Sequence, residues 1–161
     1  RRGIVTDEKQ RTSIENVYAA GDCAESLDIT SGEHKILALL PNAYRQGYTA
    51  GVNMAGGDAA FTEAMPLNAV GFFGTQVLTA GSYTGESYTE TEGDRYRKLF
   101  YKEGVLKGFI LVNAPERAGI YTALIRNKTP LAEVDFESLK TAPQLAAFPK
   151  TARERMLARE V

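Results

Sequence analysis

The stretch that decides the fold is residues 12–22, TSIENVYAAGD. Its central run, residues 16–20, is mainly apolar and stops at Gly21-Asp22. A short apolar run that ends at a turn is typical of a buried strand in a parallel sheet. In open α/β sheets, ligands bind beyond the carboxyl ends of such strands. The pattern therefore predicts a buried strand over residues 16–20 and a ligand site where it ends.

Gly21 and Asp22 have the chemistry that such a site needs. A glycine lets a ligand approach the backbone where a Cβ atom would obstruct it. A carboxylate accepts charge-assisted hydrogen bonds from hydroxyl groups, which are stronger than neutral ones, so a polyol or ribose chain would suit Asp22. A Gly-Asp pair is also common in turns and helix caps. These two residues alone do not separate a ligand site from a capped turn.

The whole stretch resembles the second FAD-binding motif of the pyridine nucleotide-disulfide oxidoreductases, with Thr12, Val17-Tyr18-Ala19 and Gly21-Asp22 in the matching positions. The resemblance implies that Asp22 binds the ribityl chain of FAD and that the backbone at Gly21 lies near the pyrophosphate. Residues 41–56 are similar to the helix that follows this motif in the family. The resemblance places Asn42 and Ala43, at the start of that helix, beside the pyrimidine edge of the flavin.

The composition changes near residue 60, from small residues to strand-like runs that carry most of the tyrosines and charges. We therefore predict an α+β protein with two parts. The resemblance implies that residues 1–60 are the C-terminal segment of a Rossmann-like FAD-binding domain, and the strand-like runs predict a small antiparallel sheet with helices for residues 61–161. In the first part, a helix is predicted over residues 41–54, because Ala43, Gly47, Ala50 and Met54 recur at helical spacing. In the second part, the sequence predicts an edge strand within 82–92 and a hairpin formed by 96–102 and 105–112. Three further helices are predicted to begin at Pro115, Asp135 and Thr151.

The second part resembles the C-terminal domain of the NADH:rubredoxin reductase and nitrite reductase branch of the same family. In that family the domain lies beside the flavin and often forms the dimer interface. The resemblance implies an FAD-dependent enzyme that takes electrons from NAD(P)H, dimerises through residues 61–161 and passes electrons to an acceptor such as a small redox protein.

Two motifs of these enzymes are absent from the sequence: the Gly-x-Gly-x-x-Gly fingerprint of nucleotide binding and a Cys-x4-Cys redox pair. We therefore expect the chain to be the C-terminal piece of a longer flavoenzyme. NAD(P)H would bind outside it, and the isolated chain would be inactive. The alternative is a non-enzymatic module that dimerises or docks a partner, which the polar, exposed-looking run 82–92 favours.

Composition argues against several other classes of protein. The net charge of −1 provides no field for nucleic acid, and one cysteine and one histidine exclude a disulfide scaffold and a multi-histidine metal cage. No apolar run reaches the roughly 20 residues that span a bilayer, so we predict a cytoplasmic protein that does not bind a membrane. No metal site is predicted either. Cys23 is expected to be buried, and His34 to be exposed in a polar loop.

Overall fold

The computed structural model describes residues 3–158 and forms two compact units, the first ending at Asn68 and the second beginning at Ala69. Both units contain strands and helices, which agrees with the predicted α+β class. In chain order the elements are β1 (Ile4–Val5), β2 (Ala24–Leu27), β3 (His34–Ile36), α1 (Leu40–Met54), β4 (Leu67–Phe72), β5 (Thr75–Gly81), β6 (Glu86–Glu92), β7 (Arg95–Lys102), β8 (Val105–Val112), α2 (Ala118–Arg126), α3 (Phe136–Thr141) and α4 (Lys150–Leu157). None of the described helices is long and apolar enough to cross a membrane.

The first unit contains a three-stranded sheet in the order β1-β2-β3. Strand β1 runs parallel to β2, with Ile4 opposite Ala24, and β2 runs antiparallel to β3, with Ser26 opposite Lys35. The parallel pair therefore begins immediately after the Gly21-Asp22 turn, which precedes β2 in the chain.

The prediction of a strand over residues 16–20 is wrong. The segment is a loop in which Tyr18 makes a single antiparallel bridge with Arg11, and the Thr12 N–H donates to the Val17 carbonyl at 2.9 Å. Asn16 has a φ of 61°, a left-handed conformation that asparagine tolerates and that interrupts an extended chain. Val17 is 44% exposed, so the apolar run is not buried along its length.

Helix α1 starts and stops where the sequence predicts. Pro41 lies in its first turn, and Gly56, with a φ of 85°, follows its end. The buried face differs from the small-residue face that the spacing indicated, because Gly47 and Met54 are exposed. The residues that this face buries are mainly polar, namely Asn42, Gln46, Thr49, Ala50 and Asn53.

The second unit is built on a five-stranded sheet in the order β4-β5-β8-β7-β6. The predicted hairpin is present as β7 and β8, and its two turn residues, Glu103 and Gly104, have φ values of 54° and 71°. Two consecutive left-handed residues form the type I′ turn that matches the twist of a hairpin. The predicted edge strand is also confirmed, since β6 lies at one end of the sheet.

The core of the second unit lies between the sheet and α2. The predicted apolar stripe of this helix is buried, with Ala118, Tyr121, Leu124 and Ile125 all facing inward. The Tyr121 ring lies 5.7 Å from that of Phe109 on β8, centroid to centroid, and its hydroxyl donates to the Leu139 carbonyl. Burial raises the pKa of Tyr121 to about 12.

The three helix starts predicted for this unit meet different outcomes. Helix α2 begins at Ala118 rather than at Pro115, because Arg117 before it adopts a φ of 57° that ends the preceding turn. Helix α3 is capped as predicted, with the Asp135 carboxylate accepting from the Ser138 N–H at 3.1 Å. Helix α4 covers most of the predicted terminal helix, whose last three residues, 159–161, lie outside the described part of the chain.

Asp28 organises the connection between β2 and β3. Burial disfavours its charge, but the Lys35 ammonium at 2.7 Å and hydrogen bonds from Thr30 and Ser31 outweigh that cost and hold the pKa of Asp28 below its usual value. A carboxylate with a lowered folded-state pKa contributes stability above its unfolded pKa of about 3.9, and that stability is lost as the pH falls through the folded value.

We therefore expect the first unit to lose stability on acidification below about pH 4. Asp28→Asn should lower the free energy of unfolding at pH 7 by about 1 to 3 kcal/mol and flatten its dependence on pH in this range. Urea unfolding at a series of pH values measures both effects. An equal pH dependence in the wild type and the variant would contradict this role of Asp28.

Candidate functional site

Gly21, Asp22 and Cys23 form a short 3-10 turn between extended Ala20 and strand β2. Gly21 has a φ of 80°, and the Ala24 N–H donates to its carbonyl to close the turn. An L-residue pays about 1–2 kcal/mol in the left-handed region, whereas glycine adopts it freely. The geometry of the turn therefore accounts for the glycine at this position.

The Asp22 carboxylate projects from this turn into solvent. No hydrogen bond or ion pair joins it to any residue between 3 and 158. Aspartates that stabilise loops in this chain behave differently: Asp7 accepts from the Lys9 and Arg11 N–H groups, and Asp135 from that of Ser138. Asp22 makes no such capping bond, so its oxygens are available to an external donor.

The first turn of α1 lies next to Gly21. A Cβ atom placed on Gly21 would come within 3.9 Å of the Ala43 methyl group. The helix has no side-chain cap at Leu39 and no acidic residue in its first turn. Its N-terminus therefore presents the partial positive charge of uncapped N–H groups near the turn that carries Asp22.

The two predicted residues of α1 are placed differently. Ala43 is half-buried beside Gly21, and its N–H donates to the Leu39 carbonyl at 3.0 Å. Asn42 is 6% exposed, and its side-chain amide donates to the Met65 carbonyl at 3.0 Å. The structure thus brings Gly21, Asp22 and Ala43 together but engages the Asn42 side chain with the chain's own backbone.

Gln46 contacts the turn directly, although it was not among the predicted site residues. Its Oε1 accepts from the Gly21 N–H at 2.6 Å, and its Nε2 donates to Ser26 Oγ of β2 at 2.7 Å. The side chain is fully buried. The sequence does hold a signal for it, because Asn42, Gln46, Thr49 and Asn53 recur at the spacing of one helix face.

Cys23 and His34 do not have the surroundings that were predicted for them. Cys23 is exposed rather than buried, and its Sγ donates to the Ala20 carbonyl at 3.4 Å. His34 is exposed as expected, but it lies in strand β3 rather than in a loop. Within residues 3–158, no three His, Cys, Asp or Glu side chains are grouped so that they could hold a metal ion.

Comparison with known proteins identifies relatives of this chain. Residues 1–47 match the family described as Pyridine nucleotide-disulphide oxidoreductase. The chain is 35% identical over 139 residues to the NADH-dependent phenylglyoxylate dehydrogenase subunit epsilon of Aromatoleum evansii, a match that covers 81% of this chain and 33% of the relative. It is 30% identical over 107 residues to the NADH-rubredoxin oxidoreductase of Clostridium acetobutylicum, covering 64% of this chain and 27% of the relative. The chain therefore spans about a third or less of the curated relatives that it matches.

The fold also recurs among solved structures. A NAD-dependent persulfide reductase from A. fulgidus superposes with a TM-score of 0.74 at 23% identity, covering 97% of this chain and 35% of that one. At 23% sequence identity, this similarity is evidence for a shared fold only. Together with the match over residues 1–47, which contains the motif at residues 12–22, these relatives confirm the predicted resemblance. The chain therefore resembles the pyridine nucleotide-disulfide oxidoreductases, and its residues 1–47 match that family.

Proposed function

We propose that this chain is the C-terminal part of a flavoprotein oxidoreductase that passes electrons from NAD(P)H through FAD to an acceptor. The observation that carries the proposal is the Asp22 carboxylate, exposed and without a partner in residues 3–158, on a left-handed glycine turn beside the start of α1. The relatives named as NADH-dependent or NADH-linked enzymes support the choice of electron donor.

The residues of the turn fit FAD chemically. Gly21 leaves open the space that a larger side chain would take, since its nearest neighbour in the Cβ direction is the Ala43 methyl at 3.9 Å. Asp22 would accept hydrogen bonds from the ribityl hydroxyls, with the strength of a charge-assisted bond. Ala43 would contact the ring through its methyl group, and Asn42 would contribute through its main chain because its side chain is bound to Met65.

FAD would supply two-electron chemistry between NAD(P)H and the acceptor. The chain's own contribution is binding and electrostatics. Asp22 orients the ligand through its hydroxyls, and the N-terminus of α1 favours negative charge on the group that it faces. Neither contribution requires Cys23 or His34.

Residues 61–161 are proposed as the part that forms a homodimer and serves as an interface. One relative is named an NADH-rubredoxin oxidoreductase, which favours a small redox protein as the class of acceptor. Residues 1–60 would then belong to the FAD-binding domain, of which they form the C-terminal segment, and residues 61–161 to the interface domain.

Asp22→Ala tests the proposed function. In the protein encoded by the complete reading frame that contains this chain, we expect the variant to bind FAD about 10- to 100-fold more weakly, since a hydrogen bond to a charged group contributes about 1.5 to 3 kcal/mol. Fluorescence titration of the apoprotein with FAD measures the dissociation constant. Oxidation of NAD(P)H should fall in parallel at subsaturating FAD.

Glu15→Ala is the matched control, because Glu15 is another exposed carboxylate of the preceding loop and holds none of the positions that match the FAD-binding motif. Its FAD affinity should equal that of the wild type. Equal affinities for the Asp22→Ala and Glu15→Ala variants would reject the role of Asp22. A wild-type protein that neither binds FAD nor oxidises NAD(P)H would favour the docking module instead.

A further inference from the structure

The buried face of α1 is built from side chains that hold backbone of other segments. Asn53 donates to the Lys9 and Ala59 carbonyls at 2.9 and 2.8 Å, and its Oδ1 accepts from the Ala59 N–H. Asn42 donates to the Met65 carbonyl. Each amide ties a different loop of the first unit to the same helix. Gln46 is the residue of this buried face that hydrogen-bonds to the turn carrying Asp22.

The bond from Gly21 to Gln46 fixes an orientation that the turn cannot set by itself. The Gly21 N–H lies in the plane of the peptide bond between Ala20 and Gly21, and the orientation of that plane sets the φ of Gly21. Glycine has no Cβ to restrict φ, so without an external acceptor this torsion is free to change. A rotation there would carry the Asp22 side chain, one residue later, to a new direction.

Gln46 is itself held in one orientation. Its Nε2 donates to Ser26 Oγ at 2.7 Å, which leaves Oε1 as the atom that faces Gly21. The amide has no exposed surface, and a buried amide that lost either partner would pay the cost of an unsatisfied polar group. Strand β2, helix α1 and the turn are therefore coupled through one side chain.

We infer that Gln46 is a positioning residue that orients the Gly21-Asp22 turn for its ligand through the Gly21 N–H. The inference rests on the proposed function, in which that ligand is FAD. Gln46 acts through the backbone of Gly21 and need not touch the ligand.

Gln46→Met tests the inference, because methionine has a similar volume but offers the Gly21 N–H only a weak sulfur acceptor and has no donor for Ser26. In the complete protein we expect the dissociation constant of FAD to rise about tenfold. In an Asp22→Ala background the same substitution should change it less than twofold, since a positioning residue has no effect once the group that it positions is gone. Ser26→Ala removes the hydrogen-bond partner that holds the Gln46 amide, and it should also raise the dissociation constant of FAD. This variant tests the same inference if Gln46→Met does not fold.

Asn53→Leu is the matched control, since it removes a buried amide from the same helix face without touching the turn. It should lower the melting temperature of the apoprotein and leave the FAD dissociation constant unchanged. If Gln46→Met also changes only the melting temperature, while Asp22→Ala weakens FAD binding, Gln46 is structural and the inference is overturned. If the wild type does not bind FAD, the proposed function fails instead.

Discussion

Gly81→Ala is expected to remove most of the stability of the second unit. Gly81 lies on β5 opposite Gly108 of β8, with a φ of 73°. A Cβ atom at this position would lie 2.0 Å from the Lys107 carbonyl oxygen, which is backbone and cannot move without breaking the pairing of the two strands. We expect a loss of about 4 kcal/mol or more, in the range that only severe core or backbone conflicts reach. Amide hydrogen exchange of the β5 and β8 residues measures this loss of stability locally.

Gly93→Ala separates the steric overlap from the cost of the left-handed backbone. Gly93 also has a positive φ, of 60°, but a Cβ atom there would meet nothing within 4 Å. This variant should lose only the roughly 1–2 kcal/mol of left-handed strain. Similar losses for both variants would show that the close approach at Gly81 is relieved by movement of β8.

Phe109→Ala is expected to have the second large effect, about 3–5 kcal/mol. Phe109 is fully buried on β8, and its ring meets that of Tyr121 on α2. Removing the ring leaves a cavity between sheet and helix that neither element can close alone. Urea unfolding followed by far-ultraviolet circular dichroism, with hydrogen exchange of the α2 amides as a local measure, records the loss.

Phe72→Ala provides the comparison for this core substitution. Phe72 belongs to the same sheet but is 67% exposed, so its truncation should change the free energy of unfolding by no more than about 0.5 kcal/mol. If the Phe109 and Phe72 variants lost equal stability, burial between the sheet and α2 would not be the source of the effect.

The sequence was most informative where structure depends on neighbours along the chain. The β7–β8 hairpin follows from alternation in both arms and from Glu103-Gly104 between them. The buried stripe of α2 follows from a helical period that the sequence displays directly. In both cases the residues that decide the structure lie within a few positions of one another, so pattern and propensity are sufficient.

Elements that depend on distant partners were predicted less well. Residues 16–20 have the apolar composition of a strand, but among residues 3–158 only Arg11 forms a bridge with Tyr18 in this segment. Composition shows that a segment can form a strand and does not show which strand pairs with it. The turn at Gly21-Asp22 was located from the motif alone, even though the strand assigned before it was wrong.

The candidate site shows the same limit. Gly21 and Asp22 were found because they are adjacent and chemically distinctive. Gln46, which lies 25 residues after Gly21, and the engagement of Asn42 with Met65, 23 residues later, depend on tertiary contacts. The helical spacing of the polar residues of α1 groups them on one face, but it does not show that this face is buried, since glutamine and asparagine are mostly found on surfaces.

The polar face of α1 also affects how the first unit responds to temperature. Among the largest fully buried side chains, Gln10, Asp28 and Gln46 lie in the first unit, whereas Tyr121, Phe109 and Leu99 lie in the second. Exposure of apolar surface raises the heat capacity on unfolding, and exposure of polar surface lowers it. Per residue, we therefore expect the first unit to contribute the smaller heat-capacity change, and its stability to vary with temperature along a flatter curve than that of the second.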